Sequence, residues 1–577
     1  MDDVILPRRY LVGFDTNQLP ELFTEVLVIG SGVAGLSAAL SASEVAGLLP
    51  TKTASAPSLH SRAGSGVHPT KVLIVSKNKL GENNTMRAQG GIAVVLSPGD
   101  SFRYHIKDTL EAGQGLCDQK VVKEVIRNGP GRIKELIGLG ANFDRAVNSV
   151  PYGTGQGPPP PEDGPLALAK EGGHSRPRVI HGRGDSTGMV VEETLLEAVE
   201  GNTNIDTMDH CFAIDLLVVE GACRGALLWH KQKGRFVVWA GDTILATGGC
   251  GQLYRETTNS VVATGDGAAM AYRAGATLQD MEFVQFHPTT LYIAGAARAL
   301  ITEAMRGEGA ILRNKWGERF MPRYHPMAEL APRDVVSQSI LHEMQLTDHT
   351  HVYLDVTHLP REFLVSRFPN ICSTCKSFHI DISKELIPVR PSAHYMMGGI
   401  RVDARTRTGI PHLYACGETA STGMHGANRL GSNSLLEGLV YGHKAGREAS
   451  LSLKRRRGKV RPYPLEVSME AKRLRMLDLE DIRDSLKSLM WRCAGVERDG
   501  KHLKEATDAL AQWWEYVMDK EFHTPEGWEL QNMILLAGLV IRATQDRKES
   551  RGAHYRKDYP QRDDRHWKRH ITFTVDR

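Results

Sequence analysis

The chain has 577 residues, too many for one simple core, so two or three domains are expected. Its hydrophobic fraction of 41% and charged fraction of 24% are those of a globular protein and exclude a disordered or fibrous one. A net charge of +4 is small for this length and gives no reason to expect a nucleic-acid partner.

The N-terminus opens Met1-Asp2-Asp3. It lacks both the basic and apolar regions of a secretory signal and the Arg/Ser-rich pattern of a transit peptide, so a cytoplasmic protein is expected. Residues 26–50 are apolar enough to suggest a membrane span, but the glycines at 30, 32 and 35 and the interspersed serines fit a buried strand-turn-helix better. No membrane association is expected. Glu25–Gly30 reads as a strand, Gly30-Ser31-Gly32-Val33-Ala34-Gly35 as a turn, Leu36–Ala46 as a helix and Lys71–Ser76 as a second strand. That is a βαβ unit with the dinucleotide fingerprint in its required place. Gly30 allows the tight turn, Gly32 lets the backbone approach a pyrophosphate, and Gly35 lets helix pack on strand. Residues 47–70, rich in Ser, Thr, Pro and Gly, read as an exposed insertion. Ser76-Lys77 stands where an NAD-binding unit carries an acidic residue for the ribose, so a plain NAD site is not expected.

Pro158–Pro161 reads as a surface loop. Thr243-Ile-Leu-Ala-Thr247-Gly248-Gly249 is a later strand entering a small-residue turn, followed by Gly265-Asp266-Gly267 opening a helix over 268–275. The one close cysteine pair, Cys372 and Cys375, has no second pair after it, and the other six cysteines are scattered; reduced thiols and no metal site are expected. A third strand, His412–Cys416, leads through Gly417-Glu418 into His425-Gly-Ala-Asn-Arg429-Leu-Gly-Ser-Asn-Ser434-Leu435. A guanidinium on such a loop suits a carboxylate, and the helix that follows offers N–H groups to a second negative group. Lys454–Arg457 and Lys459 read as a solvated connector. Helix-period apolar spacing over 477–496, 502–518 and 528–544 predicts a small helical bundle. The expected fold is α/β: a discontinuous Rossmann-like dinucleotide-binding domain (20–285 and 395–450), an inserted α+β domain (286–394) and a C-terminal helical bundle (465–577).

Further motifs join these in order. They are Thr85-Met-Arg-Ala88-Gln89-Gly90-Gly91, Lys170-Glu171-Gly-Gly-His174-Ser-Arg, Asp185-Ser-Thr-Gly188 and Gln285-Phe-His287-Pro-Thr. Beyond those come Thr302-Glu-Ala-Met-Arg306-Gly-Glu308-Gly, Leu330-Ala-Pro-Arg333-Asp334, Pro391-Ser-Ala-His394-Tyr and Glu549-Ser-Arg551-Gly-Ala-His554-Tyr. Together they resemble the succinate dehydrogenase/fumarate reductase flavoprotein family along nearly the whole chain, and within it the aspartate-oxidising branch.

The resemblance implies FAD as cofactor. Ser31 to Ala34 would wrap the pyrophosphate and Lys77 would lie by the adenosine. Asn84, Thr85, Ala88, Gln89, Gly90 and Gly91 would pass the ring system. Asp266 and Glu418 would bond cofactor polar groups, and Ser434 and Leu435 would present N–H groups near the ring. Respiratory members tether FAD through a histidine where this chain has Asn84, so non-covalent FAD is implied. His287, His394 and Arg429 resemble the clamp for a C4 dicarboxylate. Arg306 matches the arginine that shuttles a proton at the substrate carbon, with Glu308 as a relay, and Glu171 would orient the ammonium of aspartate. The implied reaction takes L-aspartate to 2-iminosuccinate with hydride passing to the flavin. Oxygen or fumarate is the electron acceptor, and a quinolinate synthase is the downstream partner on the way to quinolinate and NAD. The alternative is a soluble fumarate reductase or succinate-oxidising flavoprotein, which would share the clamp and not need Glu171.

Overall fold

Glu21–Ile29 (β1) ends in a continuous apolar run, and Val26 to Ile29 are all buried, as a parallel strand covered on both faces requires. The computed structural model describes residues 7–45, 70–146, 164–456, 460–469 and 477–575. Beside β1 lie Thr70–Val75 (β2) and then Ile205–Met208 (β3), all parallel. A meander of Cys211–Val219 (β4), Ala222–His230 (β5) and Gly234–Leu245 (β6) completes the sheet in the order β3-β2-β1-β6-β5-β4. Strand β6 runs parallel to β1, and its last three residues also pair with Leu413–Ala415. Strand β2 begins one residue before Lys71, whereas β6 is a long strand starting nine residues before Thr243.

Helix α1 (Val33–Val45) starts three residues earlier than the apolar spacing suggests, directly at the glycine turn. Gly30 has φ +116° there, and a Cβ on it would collide with the backbone of Ala246. Helix α2 (Thr187–Glu200) packs on α1, and α3 (Asp266–Arg273) follows β6.

The second sheet is antiparallel and built from Val284–Leu291 (β7), Ile311–Arg313 (β8), Val352–Asp355 (β9) and Ile387–Met396 (β10), in the order β7-β10-β9-β8. With helices α4 (Glu303–Gly307) and α5 (Arg333–Leu346) it encloses its own apolar core, including Met305, Leu312, Phe320, Ile340, Leu354 and Ile387. Cys372 and Cys375 lie on a short helix (Pro369–Ser377), with Cys375 in this core. All eight cysteines are free.

Helix α6 (Asn433–Arg456) opens straight after the Arg429 loop and lies along α1. Gly442 and Gly446 meet the α1 backbone at Ala34 and Ala38, where any side chain would force the helices apart. Its end contains Lys454 to Arg456, and Arg456 pairs with buried Asp242; part of the basic run is thus helix and anchored, not connector. Arg457 and Lys459, the 47–70 segment up to Thr70 and the Pro158–Pro161 segment lie outside the described residues.

The three C-terminal helices are Leu479–Cys493 (α7), Gly500–Trp513 (α8) and Pro525–Asp546 (α9). Helix α9 is buried almost all round, because it sits between its neighbours and the main sheet. Trp528 packs 5.5 Å from Phe212 and 6.0 Å from Trp229, so these helices share one core with the sheet. Among the described residues no helix is long and apolar enough to cross a membrane.

Candidate active site

One large cavity opens where the C-terminal ends of β1, β2 and β6 meet the starts of α1 and α6 and the inner edge of the second sheet. Gly30, Ser31, Gly32, Val33, Ala34, Lys77, Asn84, Thr85, Ala88, Gln89, Gly90, Gly91, Asp266, Glu418, Ser434 and Leu435 all line it. Gly35 does not; a Cβ there would collide with the carbonyl of Gly30, so its part is to let α1 close on the turn.

The loop over the cavity is organised by Asn83, which the motif reading passes over. Its Oδ1 accepts from the amides of Thr85 (2.8 Å) and Met86 (3.2 Å). Its Nδ2 donates to the carbonyl of Ser31 (3.2 Å) and to Glu192 on α2 (2.5 Å). Asn84 Oδ1 accepts from the amide of Ser260 at 2.7 Å. Lys77 donates to Thr264 (2.7 Å), Asp266 (2.8 Å) and Glu529 of α9 (2.7 Å). Burial opposes its charge, but the two carboxylates outweigh that and hold its pKa above the ordinary value. Burial pushes Glu418 up to about 7, and its Oε1 accepts from the Met396 amide at 2.9 Å.

This end of the cavity fits a dinucleotide. The N-terminus of α1 lines this end, which favours a pyrophosphate, and its Val33 amide donates to Thr85 Oγ1 at 3.1 Å. A methyl on Gly248 would meet nothing within 4 Å, so a ligand can approach that backbone closely. Gln89 Oε1 is buried with no hydrogen-bond partner among the described residues, an acceptor waiting for a donor.

The other end is lined by Glu171, His287, Glu303, Arg333, His394 and Arg429. Arg429 donates through Nε and Nη2 to Gln285 Oε1 (3.2 and 3.1 Å) and through Nη1 to Ser434 (2.6 Å), and stands 4.2 Å above the Tyr395 ring. Burial and the nearby Arg333 pull its pKa down to about 10, which leaves it charged. His287 and His394 come from neighbouring strands, with ring centres 5.1 Å apart. Register shifts flank both: Phe286 pairs with Ala393 while Gln285 pairs with Tyr395, which leaves His394 as the extra residue of a bulge. His287 Nδ1 is engaged by the backbone of Thr289 and His394 Nδ1 by Thr258 Oγ1 (2.8 Å), so each leaves Nε2 for a ligand. Burial first, then the surrounding arginines, keep both imidazoles neutral at physiological pH.

Arg306 is placed otherwise than the motif suggests. It is buried but does not line the cavity; Nη1 donates to the carbonyl of Glu329 (2.6 Å) and Nη2 to Glu303 (3.1 Å). The arginine at the wall is Arg333, whose Nε donates to the other oxygen of Glu303 at 2.7 Å and whose Nη1 donates to Gln285 at 3.0 Å. Glu303 thus joins Arg306 to Arg333. Glu308 pairs with Arg367 instead, at 3.2 Å. Both arginines stand in motifs visible in the sequence, but which of them reaches the cavity is set by the fold that brings Arg333 of α5 onto Glu303 of α4.

Glu171 is fully buried, and its oxygens accept from Ser432 Oγ (2.6 Å) and lie 3.2 Å from His181 Nε2. Burial would protonate it, but His181 and Ser432 prevail and hold its pKa below the usual carboxylate range. At the cavity wall Arg333 and Arg429 face Glu171 and Glu303, and Arg306 stands behind Glu303.

A dinucleotide cleft facing a cap lined with arginine and neutral histidine defines an FAD-dependent oxidoreductase of the fumarate reductase class. Residues 62–435 match the FAD binding domain family, and 483–577 match the fumarate reductase flavoprotein C-terminal family. FAD is therefore the cofactor. Among solved structures, the E. coli quinol fumarate reductase FrdA superposes with a TM-score of 0.83 at 31% identity, covering 96% of this chain and 94% of that one. Mycobacterium smegmatis Sdh1 superposes at 0.76 and 30%, covering 96% and 94%. L-aspartate oxidase of Streptomyces coelicolor is 40% identical over 95% of this chain and 90% of its own length. L-aspartate oxidase of Pseudomonas aeruginosa is 39% identical over 93% and 95%. The chain belongs to the L-aspartate oxidase family.

Proposed function

We propose that this protein oxidises L-aspartate to 2-iminosuccinate with FAD as hydride acceptor and oxygen or fumarate as the final electron acceptor. The observation that carries the reading is Glu171, an ionised carboxylate buried beside a clamp of arginines. L-aspartate has two carboxylates, which call for hydrogen-bond donors and cations, and one ammonium, which calls for a carboxylate. Arg429 grips one carboxylate, His287 and His394 offer Nε2 to the other, and Glu171 meets the ammonium group. Cα gives up its hydrogen as hydride and the ammonium group loses a proton, so the C–N bond becomes C=N. When fumarate is the acceptor it needs a proton as well as a hydride. Arg333, which lines the cavity, gives that proton, and Glu303 returns one to it from Arg306.

Asn84 cannot form a histidyl link, so FAD is held non-covalently. The separate core of the second sheet supports 286–394 as a capping domain between the two parts of the FAD-binding domain (20–285 and 395–450), with 465–577 as the helical unit. Eight unpaired thiols favour a reducing, cytoplasmic setting. A quinolinate synthase would consume the product toward quinolinate and NAD. The test is peroxide release by the purified yellow protein in air, with L-aspartate and succinate supplied separately. Peroxide from aspartate alone is the expected result. Turnover of succinate alone would move the chain to the fumarate-reducing alternative.

A further inference from the structure

Glu171 and His174 sit on one turn, closed by the His174 amide donating to the Glu171 carbonyl at 3.2 Å. Both side chains cross to the loop after Arg429. Ser432 Oγ donates to Glu171 at 2.6 Å, and His174 Nε2 lies 3.1 Å from the carbonyl oxygen of Gly431. On its other side, His174 Nδ1 lies 3.0 Å from Arg178 Nη1. A guanidinium only donates, so Nδ1 is the acceptor and Nε2 carries the proton. Arg178 has no freedom to relax this. Asp100 takes its Nε and Nη2 at 2.8 and 2.9 Å, and Asp108 takes Nη1 at 2.5 Å. Ser432, next to the bonded carbonyl, has φ +61°, a left-handed backbone that a serine keeps only where its surroundings impose it.

We propose that His174 is a positioning residue for substrate choice: by donating from Nε2 to the carbonyl of Gly431 it fixes Ser432, and through Ser432 the Glu171 carboxylate that meets the substrate ammonium. The inference rests on the reading of Glu171 given under the proposed function. Arg429 is held separately by Gln285, Ser434 and the Tyr395 ring, so the carboxylate clamp does not depend on His174. A dicarboxylate without an amine therefore feels His174 far less than L-aspartate does.

The test uses FAD-loaded His174→Asn and His174→Gln beside the unaltered enzyme. Asparagine reaches Arg178 but not Gly431, whereas glutamine can place a donor near the Nε2 position. The readouts are kcat/KM for L-aspartate oxidation and for fumarate reduction by a reduced dye. His174→Asn is expected to lower the aspartate value about tenfold, chiefly through KM, the size of one lost buried hydrogen bond. Fumarate reduction should change less than about threefold, and His174→Gln should restore most of the aspartate activity. Equal losses in both reactions, or glutamine no better than asparagine, would overturn the proposal. Glu171→Gln is measured in parallel. If it lowers aspartate turnover selectively and His174→Asn does not, only the His174 inference fails. If Glu171→Gln harms both reactions alike, the reading of Glu171 fails and takes the inference with it.

Discussion

Lys77 and Glu529 meet at 2.7 Å although 452 residues separate them in the chain. Lys77 also holds Asp266, which accepts from Asn532 of α9 at 2.7 Å, and Glu529 accepts from Arg483 of α7 at 3.0 Å. The C-terminal helices thus brace the end of the cavity that Lys77 and Asp266 line, joining two regions that are remote in sequence.

Removing the Lys77 charge leaves Asp266 and Glu529 as partly buried carboxylates without their common cation. Lys77→Met is expected to destabilise the protein by about 3 kcal/mol and to weaken FAD retention. Glu529→Gln keeps the Lys77–Asp266 pair and should cost about 1 kcal/mol. Thermal unfolding and fluorescence of released FAD measure both, and equal effects of the two variants would contradict this account.

Glu192 is buried against Asn83 by one oxygen, and its other oxygen has no partner among the described residues. Burial, against the Asn83 hydrogen bond, pushes its pKa up to about 8 from an ordinary 4.5. The folded state therefore keeps a proton that the unfolded chain loses as pH rises above the ordinary value. The contribution to stability is full below that value and drains away as pH climbs to about 8, at about 1.4 kcal/mol per pH unit at most. Glu192→Gln removes this titration. Its melting temperature should gain on the unaltered protein between pH 5 and 8 and hold a constant lead above that. A lead that does not change with pH would mean that Glu192 is ionised in the native state.

What the sequence discloses and what it hides divide along range. The turn at Gly30 to Gly35 and the loop at Arg429 are local patterns, readable because the residues that need each other are neighbours. The C-terminal helices are readable from their spacing, and the near-continuous apolar run from Met533 to Ile541 already carries their burial against the sheet. Asn83 is one residue from a position singled out by resemblance, yet its role is visible only when α2 brings Glu192 to it. The Lys77–Glu529 pair has no local sign at all. His394 owes its aim to a bulge in β10 that no alternation of hydrophobic residues announces.

Arg306 and Arg333 are the sharpest case, because the motif containing Arg306 suggests the proton-shuttling group and the geometry offers Arg333. Glu303 lies between them, with Nε of Arg333 at 2.7 Å and Nη2 of Arg306 at 3.1 Å. A group that exchanges a proton with substrate has to reach the cavity, and of the two arginines only Arg333 lines it. Arg333→Gln should therefore lower kcat for fumarate reduction by at least about a thousandfold with FAD still bound, since the donor itself is gone. Arg306→Lys keeps a charge beside Glu303 and should cost about tenfold to a hundredfold, in kcat more than in KM. Glu303→Gln keeps a hydrogen-bonding side chain but cannot carry a proton between two guanidinium groups, so its loss should fall between those two. Single-turnover reoxidation of the dye-reduced enzyme by fumarate separates this step from binding and product release. A larger loss from Arg306→Lys than from Arg333→Gln would return the shuttling role to Arg306.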